Sequence, residues 1–447
     1  SSNIHLAAYV ALLAALGLGA LLRPSMAVTA VLCLFGLKQW GQSAHPWLAQ
    51  HTTFTNITIG CVVLAALAMQ TLKGECVPCR MRKSYWVVFA LYVYALVSLF
   101  WTPRQDLALS IVWLHDYPYI ITAVLLAPLT IKDLAGLRTA MFALAVLGGA
   151  LMVILLAFGE WGMRGLIVAG SVYEREANPL AIAGLAGCVA GAAMFVPLSS
   201  LKWLVWPMRL AVVSVCLVVI VRSGSRGQLI AACAALLLMM PVAYRASRFR
   251  GFAAICIALA AFGAAVSYGL SEFIGVADAR WSGALATHDA VGRWHMALQL
   301  LGAWSHSGVK ILLGLGNSAS FDPTVVGYYP HNVPLEVLGE EGLIGFALYL
   351  YVLWLAGSGL LRAWKRVANQ PEMRGLLAAL GAGFTFTFLI SLKEGNMVGS
   401  VYFFLFAIVL GRMPELVRAA VASKTSPFPR AEKIVASGHL ARAPTAT

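Results

Sequence analysis

The chain has 447 residues, of which 60% are hydrophobic and only 11% charged, and a mean hydropathy of +0.82 excludes a soluble globular domain. Its formal charge of +14 falls in clusters on alternate loops, as the positive-inside rule expects of a membrane protein, so no nucleic-acid partner is implied.

Apolar runs of the length that crosses a hydrocarbon core recur along the chain. They predict spans near 54–72, 85–101, 107–129, 137–158, 180–195, 208–222, 227–243, 252–270, 343–361, 375–392 and 398–411. Residues 6–37 add one or two more, because Arg23-Pro24 interrupts them. The expectation is an all-α, polytopic protein of about twelve transmembrane helices. Four blocks follow: N-terminal spans over 1–270, a large outer loop over 271–342, C-terminal spans over 343–411 and a basic tail over 412–447.

Basic clusters at Lys73/Arg80/Arg82/Lys83, Arg245/Arg248/Arg250, Arg362/Lys365/Arg366/Arg374 and the tail from Arg412 define the expected cytoplasmic face. Carboxylates, among them Glu160, Asp289, Glu336 and Glu394, gather on the other face. The informative charges are therefore the arginines on that outer side: Arg164, Arg175, Arg222, Arg226, Arg280 and Arg293. Cys76 and Cys79 form a CVPC in a basic loop, but the lack of a second Cys or His pair argues against zinc, and no disulfide framework is expected. Outer loops at 159–179 and 271–342 are the long ones, and a loop of about seventy residues between spans is usually functional. Few charges fall in the middle of spans, as an ion path would require. The polar residues sit at the outer membrane–water boundary.

Four patches lie there. In VRSGSRGQL (221–229), Arg222 and Arg226 share a face if the segment stays helical, Gly224 and Gly227 allow close backbone approach, and arginine's planar fork suits phosphate oxygens. The alternative is a hairpin tip whose arginines snorkel to headgroups. In DAVGRWHMALQL (289–300), Asp289, Arg293 and Met296 share a helical face, either as a ligand-facing stripe or as an exposed ion pair. YEREANPL (173–180) sets Arg175 just before Asn178-Pro179, where interfacial anchoring accounts for it equally well, and SLKEGN (391–396) sets Lys393 and Glu394 at the end of a span, where a boundary ion pair is the slightly favoured reading.

A fifth stretch, YYPHNVPLEVLGEEGLIG (328–345), runs into an apolar segment. Asn332 suits an N-cap, Pro334 a first turn, and Glu336 the positive end of a helix dipole. His331 then lies just outside a helix N-terminus, whose dipole disfavours imidazolium, and a neutral imidazole can act as a general base. Glu340 and Glu341 read as structural or orienting.

His331, Asn332, Leu335, Glu340 (displaced one place by Glu341), Gly342 and Gly345 together resemble the signature of the O-antigen ligase superfamily. SRG at 225–227, the Asp289–Arg293–Trp294 helix and GLGNSASF at 314–321 occur in the order that family shows. The resemblance covers roughly 160–345 in motifs. It implies a GT-C-like membrane glycosyltransferase of the bacterial inner membrane with a periplasmic site. The donor would be undecaprenyl-diphosphate-linked O-antigen and the acceptor lipid A–core oligosaccharide, with inversion and without metal or other cofactor. The same superfamily contains O-antigen polymerases and protein O-oligosaccharyltransferases, and a lipid-linked oligosaccharide transporter is the rival of another class. By the resemblance His331 is the base and Arg226 and Arg293 hold the diphosphate. Arg175, Arg222, Arg164, Asn332 and Lys393 are further substrate-binding candidates.

Overall fold

The computed structural model describes residues 2–162, 165–170, 177–196, 202–244, 253, 283–306 and 308–425. Among them the regular structure is all helical, apart from one isolated bridge between Trp161 and Leu166. The longer helices are α1 (Ser2–Leu22), α2 (Met26–Ala44), α3 (Thr53–Leu72), α4 (Lys83–Ser98), α5 (Leu134–Phe158), α6 (Pro179–Phe195), α7 (Lys202–Arg222), α8 (Arg226–Ala243), α9 (Gly283–Ser305), α10 (Val333–Arg366), α11 (Pro371–Ser391) and α12 (Val401–Thr425). Residues 105–130 form a further, irregular helical segment that passes through π-helical turns.

Seven of the described helices are long and apolar enough to cross a membrane, namely α1, α3, α5, α7, α8, α10 and α11, and Lys83–Ser98, Ile120–Thr130 and Pro179–Phe195 are shorter apolar helices. This is a polytopic membrane protein. The break at Arg23-Pro24 resolves residues 6–37 into two helices, α1 and α2. The span expected at 252–270 and the basic cluster at 245–250 lie outside the described residues, residue 253 apart.

The centre of the bundle is built from α2, α6, α11 and α12; α12 is buried at every position from Val401 to Leu410. Between helices in a membrane, close packing of small residues substitutes for a hydrophobic driving force. Gly187 and Gly191 do this on α6: a Cβ at 187 would strike the Phe386 ring of α11, and one at 191 would sit 3.1 Å from Ala382 Cβ. Helix starts follow local chemistry. Asp133 accepts from Gly136 N at 2.7 Å and Asn178 from Leu180 N at 3.0 Å, with Pro179 in the first turn of α6.

Cys76 and Cys79 are joined in a disulfide. The tight turn at Pro78–Arg80 brings their Cα atoms to 5.5 Å, within reach of a bridge, so a local pair forms where no larger framework exists.

Candidate active site

The turn after α11 is where the candidate residues converge. Lys393 N and Glu394 N both donate to Ile390 O, at 2.8 and 2.9 Å, and Gly395 takes a positive φ of 84° that turns the chain back toward α12. Three other elements close on this turn. Arg293, on α9, donates to Lys393 O at 3.3 Å. Asn332, at the start of α10, donates through Nδ2 to Leu392 O at 2.9 Å, and Glu336, one turn further on, accepts from Met397 N at 3.1 Å. Gly227, in the first turn of α8, leaves the space that the Lys393 side chain fills; a Cβ there would meet Lys393 Cδ, Cε and Nζ. Gln228 Nε2 then donates to Glu394 Oε1 at 2.5 Å and to Leu180 O at 3.0 Å.

Electrostatics follows from that packing. Burial pushes the Lys393 ammonium below the ordinary lysine range, and the Arg293 and Arg226 charges push the same way, while Glu394, 3.6 Å away, opposes them. Burial pushes the Glu394 carboxyl up, and Lys393, Gln228 and Arg293 oppose it. Arg226, Arg293 and Lys393 thus form one cationic group drawn from three elements.

The turn between α7 and α8 falls between the spans expected at 208–222 and 227–243, and of the two readings of 221–229 it excludes the continuous helix. Arg222 and Arg226 do not share a helical face, because α7 stops at Arg222. Gly224 N donates to Val221 O at 2.8 Å and Ser225 N to Ile220 O at 3.4 Å, with Gly224 at φ 65°. That is the pattern of a helix closed by a left-handed glycine. Arg222 accordingly turns away and stacks over Trp161, 5.5 Å from the ring centroid, whereas Arg226 opens α8. Gly224 serves as a helix stop, and Gly227 makes room for a side chain.

At the head of α10, Asn332 caps the helix by accepting from Leu335 N at 3.1 Å. His331 precedes it with φ 55°, the left-handed region that few residues other than glycine adopt. Its ring lies 4.2 Å from that of Tyr329 and 5.5 Å from that of Tyr328. Tyr329 is close enough to Glu394 and Arg293 for their charges to act on its hydroxyl, whose pKa is raised, chiefly by burial. His331 and the cationic turn therefore share a neighbourhood.

Deeper in α10, Glu340 and Glu341 are buried and bind the GLGNSASF loop. Glu340 accepts from Ser318 N at 2.7 Å and Ser320 N at 3.0 Å, and Glu341 from Asn317 Nδ2 at 3.0 Å. Gly342, at φ 64° and ψ −165°, breaks α10 beside them, so the polar head and the apolar span of this helix are two pieces.

A cavity of about 210 Å³ adjoins the turn. Glu394, Gln228 and Tyr329 line it together with Phe35, Phe386 and Phe403. Arg164 and Arg175 lie outside the described residues, as does the side chain of Asp289, so the expected Asp289–Arg293 pair is not described. Among the described residues no three His, Cys, Asp or Glu side chains gather as they would around a metal ion. Gln228 and Tyr329 were missed from sequence, and Glu394 was placed only as a boundary charge. The available signals were position alone, two residues after Arg226, two before His331 and next to Lys393.

No curated protein matches the chain. Residues 210–350 match the family model described as O-antigen ligase. The matched stretch contains Arg226, Arg293, the GLGNSASF loop and His331 through Gly345, while the 391–396 turn lies beyond it. The residues that carried the resemblance are thus those the match covers, and over that stretch the chain is similar to the O-antigen ligase family.

Proposed function

We propose that the protein is an O-antigen ligase that transfers a preassembled polysaccharide from undecaprenyl diphosphate to a sugar hydroxyl of lipid A–core oligosaccharide. The reaction takes place at the periplasmic side of the inner membrane. The observation that carries this reading is the convergence of Arg226, Arg293 and Lys393 beside His331, at one boundary of an apolar bundle. A cationic group there suits a ligand whose charge sits at the headgroup level and whose tail is lipid.

The chemistry follows from the residue types. A polyprenyl diphosphate is already a good leaving group, so preorganised cations need only stabilise the charge that grows on it as the glycosidic C–O bond breaks. Arg226 and Arg293 supply bidentate donors, and Lys393 a point charge. His331 takes the proton of the acceptor hydroxyl as that oxygen attacks C1 from the face opposite the diphosphate, which inverts the anomeric centre in one step. Arg222, stacked on Trp161, is placed to meet lipid headgroups or the outer part of a substrate. The same reading gives no role to a metal ion.

Purified protein mixed with lipid-linked polysaccharide and rough lipopolysaccharide tests the assignment. Ligated lipopolysaccharide is the expected product. Longer lipid-linked chains would assign a polymerase instead, and no covalent product would leave the transporter reading.

A further inference from the structure

Glu394 has no part in the chemistry just described, and its position calls for one. It is 7% exposed, within the cationic group, and a carboxylate there repels any anionic ligand. Burying it is costly unless it is paired. Its two oxygens are engaged differently. Oε1 is held tightly by Gln228, itself 1% exposed and anchored to Leu180 O, whereas Oε2 meets Lys393 Nζ at 3.6 Å, an ion-pair contact longer than a hydrogen bond. The carboxylate is therefore fixed, and the ammonium can swing on its flexible stem without moving the backbone. Gln228 also lies in the same first turn as Arg226 and Gly227, so one amide links the arginine turn to the 391–396 turn.

We propose that Glu394 is an internal counterion and positioning residue: fixed by Gln228, it holds Lys393 Nζ within the Arg226–Arg293 group while the site is empty and yields it to the diphosphate of the donor. This rests on the reading of the cations as the diphosphate site. Glu394 touches neither reacting atom and acts through Lys393. With a diphosphate bound, Nζ exchanges a carboxylate partner for a phosphate oxygen, and the cations are never left without an anion.

The test uses the full-length protein and the variants Glu394→Gln, Glu394→Asp, Lys393→Met and the Lys393→Met/Glu394→Gln double variant. Inorganic pyrophosphate binding is measured by calorimetry, and KM for the lipid-linked donor is separated from kcat. Glu394→Gln removes the competing anion, so it should bind pyrophosphate about threefold to tenfold more tightly and lower KM. It should also lower kcat, because Nζ is no longer positioned; Glu394→Asp should recover part of kcat. In the Lys393→Met background, Glu394→Gln should leave kcat unmoved and tighten pyrophosphate binding less than it does in the wild type, since only the direct repulsion is then relieved. Unchanged or weaker pyrophosphate binding by Glu394→Gln, or independent effects of the two substitutions, overturns the proposal. A purely structural Glu394 would lower the yield and melting temperature and leave the affinity of the folded fraction unmoved. Should Glu394→Gln not fold, Gln228→Met loosens the same carboxylate and should shift pyrophosphate affinity in the same direction; no shift overturns the proposal. Pyrophosphate binding needs no acceptor, so loss of ligation by the wild-type protein sinks the functional reading alone.

Discussion

Gly227 separates geometry from fold at a single atom. The nearest atoms a Cβ there would meet belong to the far end of Lys393, a flexible side chain that can give way without a backbone shift. Gly227→Ala should therefore fold normally, helped by about 1 kcal/mol of helix propensity, and yet lose activity as Nζ is displaced. A misplacement of this kind costs up to about 10²-fold in rate. Melting temperature and ligation rate, measured on one preparation, check it; a stable variant with full activity removes Lys393 from the site. His331 is the second residue with a sharp expectation. His331→Ala should reduce transfer by roughly 10²–10⁴-fold, the usual contribution of a general base, while pyrophosphate binding stays intact. Wild-type rates in that variant would end its assignment as the base.

At the scale of elements, α10 shows how local rules and tertiary contacts divide the work. Its start was legible, since Asn332 followed by Pro334 is a cap signal that depends on a few neighbouring residues. The end of α7 was also written locally, in Gly224 just past the last apolar turn, although the i,i+4 arginine spacing left a continuous helix open beside the hairpin tip. The meeting of α8, α9 and α10 on the 391–396 turn had no local signature. It joins residues up to 166 positions apart, as in the Gln228–Glu394 bond, and no periodicity records such a contact. The break at Gly342 belongs with these long-range effects. A Cβ there would strike backbone atoms of Gly314 and Leu312, and φ is 64° besides. Gly342→Ala should thus cost about 1–3 kcal/mol or more in stability, the opposite of Gly227→Ala, and lower the melting temperature and the yield of folded protein. A melting temperature equal to wild type would mean that α10 need not break at this residue.

Among the described residues, two groups of basic side chains stand apart. Arg80, Arg374 and Arg412, in the clusters expected to face the cytoplasm, are buried and donate to carbonyls near helix ends: Leu129 O at 2.6 Å, Val242 O at 2.9 Å and Pro128 O at 2.7 Å. These arginines fasten helices together. Arg226, Arg293 and Lys393, at the other boundary, converge on a turn beside a cavity. Composition alone revealed the membrane bundle, because apolar length is a one-dimensional property. It did not separate the arginines that hold helix ends from those gathered at the 391–396 turn, which differ only in what surrounds them. The proposed catalysis by the second group alone predicts that transfer persists in excess EDTA, and full inhibition reversed by magnesium would contradict an arginine-based account.

The central claim is that Arg226 and Arg293 stabilise the departing diphosphate. The most direct measurement is the ligation rate of Arg226→Ala and Arg293→Ala, at equal membrane abundance, against Arg362→Ala, an exposed arginine in a cluster on the expected cytoplasmic face. Each of the first two should lose roughly 2–4 kcal/mol of transition-state stabilisation, and Arg226→Lys should fall between alanine and wild type because it keeps the charge without the planar fork. Arg362→Ala should ligate at the wild-type rate. If Arg226→Ala and Arg293→Ala ligate as fast as Arg362→Ala, these arginines are headgroup anchors and the diphosphate is bound elsewhere.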